Sequence, residues 1–163
     1  MTVSTPDAAA SVPTPPTDSW QIKLLYDGDC PLCLREVNFL RKKDAGRGLV
    51  AFVDIADDAY TPAEHGGVSF EAAMGRIHAV LRNGEVIQNV AVFRRVYDIL
   101  GLGWVYAPTA WPIIGPLVDR AYDLWADWRL KLTGRPDLAT LVAQRQQRQA
   151  CGTGDRCRIG DDG

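Results

Sequence analysis

The chain lacks both an excess of positive charge and a long uninterrupted apolar run. Its 18 lysines and arginines are outnumbered by 20 aspartates and glutamates, so that the formal net charge is −2. Binding to a phosphate backbone needs a basic surface, and we therefore expect no nucleic-acid partner. The most apolar stretch, residues 104–118, contains three prolines and a glycine. It falls short of the roughly 20 apolar residues that cross a membrane, so we expect no stable membrane insertion.

Targeting signals are also missing from the start of the sequence. Residues 1–19 are mainly alanine, serine, threonine and proline, with two aspartates and no lysine or arginine. A secretory signal needs a positive start and an apolar block, and a transit peptide needs arginines. The segment buries too little apolar surface to offset its ordering entropy. We predict a disordered N-terminal tail over residues 1–19 and a cytoplasmic protein.

Cysteine is scarce, with four residues in a chain of 163. Four are too few for a disulfide-stabilised scaffold, and they form two close pairs, Cys30 with Cys33 and Cys151 with Cys157. Close pairs of this kind indicate redox or metal chemistry in a reducing compartment. The remaining composition, 47% hydrophobic and 23% charged, is that of an ordinary globular domain.

Apolar periodicity and turn residues predict alternating strands and helices in a domain over residues 20–103. A strand, an amphipathic helix and a second strand within about 35 residues form a βαβ unit, whose strands pair in parallel. The dipeptide Asn83-Gly84 between two later apolar runs is a strong hairpin signal. The predicted elements are strands 20–26, 49–55, 76–81 and 85–88 and helices 31–43, 69–74 and 90–100. This order predicts an α/β fold, a thioredoxin-like mixed sheet flanked by helices.

Two further helices, at residues 114–132 and 137–149, are predicted to form a C-terminal helical extension over residues 104–150. The apolar side chains of the first recur at helical spacing, which predicts that they pack on the domain. They are Leu117, Ala121, Leu124, Trp125 and Trp128. The alternative for this Trp- and Tyr-rich region is an exposed apolar patch for a partner or a membrane surface. Residues 151–163 are predicted to be a flexible cysteine-containing tail.

The candidate reactive group is the pair Cys30 and Cys33, at a strand-to-helix junction. Asp27-Gly28 is a turn signal, and Pro31 suits the first turn of a helix. A cysteine at a helix N-terminus faces unpaired N–H groups and the positive end of the helix dipole, which favour its thiolate. Cys30 is therefore the predicted nucleophile, exposed to the substrate. Cys33 lies on the apolar stripe of the helix and is predicted to be the more buried, resolving thiol.

Two neighbouring aspartates, Asp27 and Asp29, oppose thiolate formation, because nearby carboxylates disfavour a second negative charge. Asp27 has two candidate roles. It can hold the turn by accepting backbone N–H groups, and it can act as a general base that takes the proton from Cys33. The two roles are compatible, and both stay open at this point.

A C-x-x-C pair is also half of many zinc sites. The second half would be Cys151 and Cys157, whose separation is wider than the two to four residues usual in a zinc knuckle. The apolar strand before the pair and Pro31 inside it favour the redox interpretation. The alternatives are a zinc-stabilised binding module and an assembly or interaction protein with incidental thiols. Cys151 and Cys157 themselves have three candidate roles: a second redox pair, a regulatory disulfide or unreactive thiols.

The stretch Tyr26-Asp27-Gly28-Asp29-Cys30-Pro31-Leu32-Cys33 resembles the core motif of the DCC family of thiol-disulfide oxidoreductases. The likeness extends through the 76–88 hairpin and residues 119–128 to Cys157-Arg158-Ile159.

This resemblance implies a thioredoxin-like fold and dithiol–disulfide exchange, with Asp27, Cys30 and Cys33 catalytic and a redox-active disulfide between the cysteines. It implies a protein or small-molecule disulfide as substrate and an external thiol as reductant, with no organic cofactor and no metal. One departure concerns the cis-proline that thioredoxin-like domains usually carry before the third strand. Here Met74-Gly75 stands near that place, and no proline is present.

Overall fold

The structure is a computed structural model that describes residues 19–110 and 114–152. The strands are β1 (Ile22–Tyr26), β2 (Val50–Asp54), β3 (His78–Leu81) and β4 (Val86–Gln88). The helices are α1 (Pro31–Asp44), α2 (Phe70–Gly75), α3 (Val90–Ile99), α4 (Ile114–Leu132) and α5 (Leu138–Gly152). The predicted elements are confirmed in type and order, with ends that differ by about three residues or fewer.

The four strands form one mixed sheet in the order β2-β1-β3-β4. β1 pairs with β2 in parallel, with Ile22 opposite Val50, and β3 runs antiparallel to both β1 and β4. The predicted hairpin is confirmed: Gly84 has φ +86°, and the Asn83 side chain accepts the Glu85 N–H. This is the predicted α/β arrangement, a thioredoxin-like mixed sheet flanked by helices and followed by C-terminal helices.

Side chains of β1 alternate between the two faces of the sheet and so contribute to two separate cores. Ile22 and Leu24 pack with Leu40 of α1 and with the buried valines of α3. Leu25 packs on the opposite face with Met74 of α2 and, further along, with Leu141 of α5. The end of β1 is therefore clamped on both faces, and the turn that follows it is held in a fixed position.

The predicted packing face of α4 is wrong. Leu117, Leu124, Trp125 and Trp128 are exposed, with 69% of Leu117 and 60% of Trp128 accessible to solvent. The helix instead buries Tyr122, Ala126 and Arg129, which recur at the spacing of one helix face. Tyr122 and Arg129 find hydrogen-bond partners on the domain. These hydrogen bonds offset the cost of burying polar groups. The buried face of α4 is therefore partly polar, and a search for apolar periodicity selects the opposite face.

Some predictions lie outside the described residues. These are the disordered tail predicted over residues 1–19, of which 1–18 are not described, and the position of Cys157. Cys151 lies in α5, which continues to Gly152 and so extends two residues into the predicted tail, but its side chain is not described. Within the described residues, every helix is too short or too polar to span a bilayer.

Candidate redox site

The turn after β1 brings both cysteines to the start of α1. The Cys30 N–H donates to the Asp27 carbonyl at 3.2 Å, and Cys30 occupies the N-cap position with extended backbone angles. Pro31 is the first helical residue, as predicted. Cys33 follows one turn later on the same helix. The strand end and the helix start therefore fix the pair between two rigid elements.

Asp54, at the end of β2, closes this turn from the neighbouring strand. Its Oδ1 accepts the Gly28 N–H at 2.8 Å and the Ala56 N–H at 2.9 Å. A Cβ at position 28 would lie 1.8 Å from Asp54 Oδ2, so only glycine fits there. Sequence reasoning missed Asp54. The available signal was its place at the carboxyl end of a strand parallel to β1.

The two thiols have opposite proton affinities. The sulfurs are not joined, and the pair is in its dithiol form. The Cys33 thiol and the N–H groups of Cys33 and Leu32 donate to Cys30 and lower its pKa to about 6, against the effects of burial and of the Asp27 charge. The pKa of Cys33 is raised because its proton is held in the hydrogen bond to Cys30 and because the side chain is buried. At neutral pH the negative charge belongs to Cys30.

The predicted exposure of the pair is wrong. Cys30 is 1% exposed, whereas Cys33 is only partly buried. Arg135, in the connection between α4 and α5, pairs with Asp27 and with Asp29, both in the turn that precedes Cys30. This brings the connection against the start of α1. A thiol at a helix N-terminus is accessible unless other parts of the chain cover it, and the α4–α5 connection lies against the turn that holds Cys30.

Asp27 is buried, and its carboxylate is held from two directions. Its Oδ1 accepts the Asp29 N–H at 3.1 Å, which confirms the predicted turn role. Arg135 Nη2 lies 3.2 Å from Oδ1 and 3.3 Å from Oδ2. The pKa of Asp27 is raised because burial disfavours the charged form, although the Arg135 guanidinium opposes that effect. Such a carboxylate exchanges protons more readily near neutral pH than an exposed aspartate does.

Arg129 of α4 is the second guanidinium at the site. It is 4% exposed, its Nη1 lies 3.8 Å from Cys33 Sγ, and its Nη2 donates to the Met74 carbonyl. Tyr122, two turns earlier, accepts the Ile77 N–H at 3.0 Å. Side chains of α4 thus hold the segment before β3, where the sequence has no proline. Among residues 19–110 and 114–152, no peptide bond is cis.

Sequence reasoning missed both arginines. Arg129 is 96 residues from Cys33, and Arg135 is 108 residues from Asp27. No local pattern predicts contacts at that separation. Arg129 was also on the helix face that was expected to be exposed.

A cavity of about 300 Å³ opens beside the pair. Its walls are mainly apolar, including Leu24, Val37 and Phe93. The charged and thiol side chains that line it are Asp27, Cys33, Glu36 and Arg129, and Tyr26 and Tyr122 line it as well. Cys30 does not line the cavity, and the side of the pair that a small molecule meets first is therefore Cys33.

A dithiol at a helix N-terminus, with one thiolate and one retained proton, is the arrangement of a thiol–disulfide exchange site. The family model described as DCC1-like thiol-disulfide oxidoreductase matches residues 24–135. The match covers more than half of the chain, and the chain belongs to this family. It spans Asp27, both cysteines and the two arginines of the site.

An uncharacterized chloroplastic protein of Arabidopsis thaliana, At5g50100, is similar to this chain. The two are 44% identical over 147 residues, which cover 89% of this chain and 69% of the plant protein. No solved structure gives a significant match.

The zinc alternative stays open in part. Among the described residues, no group of three or more His, Cys, Asp or Glu side chains is arranged to hold a metal ion. Its proposed second half involves Cys157, outside the described residues, and Cys151, whose side chain is not described. The Cys33 thiol donates a hydrogen bond to the Cys30 sulfur.

Proposed function

We propose that the protein is a dithiol–disulfide oxidoreductase of the reductase type, in which Cys30 and Cys33 reduce a protein or small-molecule disulfide. The observation that carries the proposal is the position of the dithiol: Cys30 is the N-cap residue of α1, and Cys33, one turn later, donates a hydrogen bond that lowers the pKa of Cys30. The pair thus holds a nucleophile and a second thiol in contact. Its two sulfurs carry both electrons, so no organic cofactor is required.

In the first step the Cys30 thiolate attacks one sulfur of the substrate. The substrate S–S bond breaks, a Cys30–substrate disulfide forms, and the other half leaves as a thiolate. Cys33 then loses its proton and attacks Cys30, which releases the second substrate thiolate and leaves the Cys30–Cys33 disulfide. An external thiol reductant returns the two electrons and restores the dithiol.

Cys30 is assigned the attack in spite of its burial. Its pKa is lowered to about 6, which favours the thiolate at pH 7, and only the thiolate is the nucleophile. Cys33, with its raised pKa, holds its proton at that pH. The substrate therefore reaches Cys30 past Cys33 or past the α4–α5 connection.

Asp27 is proposed to take the proton of Cys33 in the second step. It lines the same cavity as Cys33, and its raised pKa makes it a stronger proton acceptor than an exposed aspartate. An Asp27→Asn variant retains an oxygen for the Asp29 N–H. We expect it to slow the resolving step on the order of 100-fold, measured by rapid quenching of the mixed disulfide. An unchanged resolving rate would leave Asp27 with the turn role alone.

The test of the function is disulfide reduction driven by dithiothreitol, with insulin and hydroxyethyl disulfide as substrates. We expect turnover by the full chain and background rates in Cys30→Ser and Cys33→Ser variants. Cys33→Ser should accumulate a mixed disulfide on Cys30. A Cys151→Ser/Cys157→Ser variant is the matched control and should retain turnover. Absence of turnover with both substrates, or full activity without Cys30, would overturn the proposal.

An interaction role is the second candidate, because α4 presents the exposed side chains Leu117, Leu124, Trp125 and Trp128. It predicts that a Cys30→Ser/Cys33→Ser variant retains full function in cells, whereas the redox proposal predicts its loss.

The zinc-stabilised module predicts stoichiometric zinc in the purified protein that is lost on Cys30→Ser. Metal analysis of both proteins distinguishes it from the redox proposal.

We propose a reducing compartment, the cytoplasm, as the location. The support is the scarcity of cysteine and its arrangement in two close pairs. The similar plant protein bears the word chloroplastic in its name. A fluorescent fusion of the full chain tests the location, and organellar fluorescence would contradict the cytoplasmic proposal.

A further inference from the structure

The cavity beside the cysteine pair contains a buried cation without a carboxylate partner. Arg129 is 4% exposed, its Nε has no hydrogen-bond partner, and no carboxylate of the described residues lies within ion-pair distance of it. Its Nη1 lies 3.8 Å from Cys33 Sγ, in the pair that carries the thiolate, but a buried guanidinium without a paired, hydrogen-bonded anion is costly. An anionic group that enters the cavity would remove that cost.

The two carboxylates of the cavity differ in what neutralises them. Asp27 pairs with Arg135 through both of its oxygens. Glu36 has no basic partner among the described residues and accepts one hydrogen bond, from the Tyr97 hydroxyl at 2.8 Å. Because Asp27 is already compensated, the charges that are open to a ligand are the positive one of Arg129 and the negative one of Glu36.

These two charges flank the accessible sulfur. Arg129 Nη1 lies 3.8 Å from Cys33 Sγ, and Glu36 is three residues after Cys33 on the same face of α1. Apart from Asp27, the remaining walls are apolar and aromatic side chains. At about 300 Å³, the cavity is at the lower end of the size range of small-molecule sites. A cation, an anion and a sulfur around a small apolar volume match a thiol-bearing α-amino acid.

Building on the proposed function, we propose that the cavity binds the disulfide of a thiol-bearing α-amino acid. The carboxylate of one half pairs with Arg129, and its ammonium group pairs with Glu36. Its sulfur then lies against Cys33, next to Cys30. The Cys30 thiolate and the Cys33 thiol give up two electrons and one proton in total and become a disulfide. The substrate becomes two amino-acid thiols, one protonated by that proton and the other released as a thiolate.

Binding is tested on the reduced full chain with four redox-inert thioethers of similar size. S-methylcysteine carries both charges, 3-(methylthio)propionate the carboxylate, 2-(methylthio)ethylamine the ammonium group, and 2-(methylthio)ethanol neither. We expect each matching charge to strengthen binding about tenfold, measured by calorimetry or by NMR titration. Equal affinity for all four ligands, or no binding of S-methylcysteine, would overturn the proposal.

Variants assign the two charges to their residues. Arg129→Met should abolish the preference for the carboxylate, and Glu36→Gln should abolish the preference for the ammonium group. Arg35→Met and Glu71→Gln make the same changes of charge at exposed positions and should leave both preferences intact. If Arg129→Met fails to fold, the Glu36→Gln variant still tests whether the cavity recognises the ammonium group. Retention of the ammonium preference in that variant would contradict the assignment.

A kinetic experiment separates this inference from the proposed function. Reduced protein is mixed with cystine or with hydroxyethyl disulfide, and the loss of thiols is followed in single turnovers. Saturation at lower concentration with cystine supports the amino-acid site. Exchange with both disulfides at equal apparent affinity would support the oxidoreductase function and would overturn the proposed amino-acid site. Tight binding of S-methylcysteine without any exchange retains the site and overturns the function.

Discussion

The sulfur of Cys30 accepts hydrogen bonds from the thiol of Cys33 and from the backbone N–H groups of Leu32 and Cys33. These donors act against the burial of the side chain and against the negative charge of Asp27, and they prevail, because the pKa falls to about 6. The same contact raises the pKa of Cys33. At the scale of single residues, the two thiols of the site therefore differ in acidity: Cys30 loses its proton first, and Cys33 keeps its own.

This difference in acidity predicts the pH dependence of thiolate absorbance. Reduced protein should gain absorbance at 240 nm with a midpoint near pH 6, and Cys30→Ser should remove that transition. Absorbance is preferable to alkylation because it does not need access to a buried sulfur. A first transition above pH 8 would contradict the assignment of the thiolate to Cys30.

The same shift affects stability. A thiol whose pKa is lower in the folded state contributes stability that is fully present above its unfolded pKa of about 8.5. That contribution is lost as the pH falls through the folded value of about 6. We therefore expect the free energy of unfolding of the reduced wild type to rise between pH 6 and pH 8.5 relative to Cys30→Ser, measured by urea unfolding. A constant difference between the two proteins would contradict the lowered pKa.

At the scale of elements, the connection between α4 and α5 lies against the turn that holds the pair. Arg135 is its contact with the site, through Asp27 and Asp29, which both precede Cys30. We expect this connection to restrict which molecules reach the N-terminus of α1. The extension is therefore part of the site.

Removal of Arg135 should expose Cys30. In an Arg135→Ala variant we expect iodoacetamide to alkylate Cys30 at least about tenfold faster at pH 8, since opening of the connection no longer breaks two ion pairs. The pKa of Asp27 should also rise, because the Arg135 guanidinium lowers it. The control is Arg148→Ala, which removes an exposed ion pair between Arg148 of α5 and Asp58. Equal alkylation rates in both variants would show that another part of the chain covers Cys30.

The sequence predicted the parts of the site that depend on local pattern. The strand end, the turn and the N-terminus of α1 are encoded within residues 20–43, and both cysteines and Asp27 lie there. The exposure of Cys30 was predicted wrongly, because burial depends on contacts from distant parts of the chain, such as that of Arg135 with Asp27, which no local pattern shows. The packing face of α4 was predicted wrongly because its buried face is partly polar. Hydrophobic periodicity detects apolar faces and misses a face that is stabilised by hydrogen bonds.

At the scale of the whole molecule, α5 is bound into the domain by Arg145. This side chain is buried, and it donates to the carbonyls of Ile55, Asp57 and Tyr60 at 2.9, 3.1 and 3.2 Å. Leu141 of α5 adds apolar contacts to the core on that face of the sheet. The division of the chain into a domain over residues 20–103 and an extension after it stays a prediction.

Arg145→Met tests whether the domain and α5 unfold as one unit. It leaves three carbonyls without their donor, and we expect the free energy of unfolding to fall by about 3 kcal/mol in a single transition. Arg148→Met removes a solvent-exposed pair and should cost less than about 0.5 kcal/mol. Two separate transitions in denaturant, with the domain unaffected by Arg145→Met, would show that α5 is an independent appendage.

The central claim is that Cys30 and Cys33 form a reversible disulfide, and a redox titration of the full chain against glutathione tests it most directly. Mass spectrometry of the trapped thiols gives the fraction oxidised at each potential. A thiolate pKa of about 6 is nearer to that of thioredoxin, at about 7, than to that of DsbA, at about 3.5. We therefore predict a reversible transition of this pair below about −200 mV. A potential near −120 mV would contradict the reductase direction, and failure of the pair to form a disulfide at any potential would contradict the account.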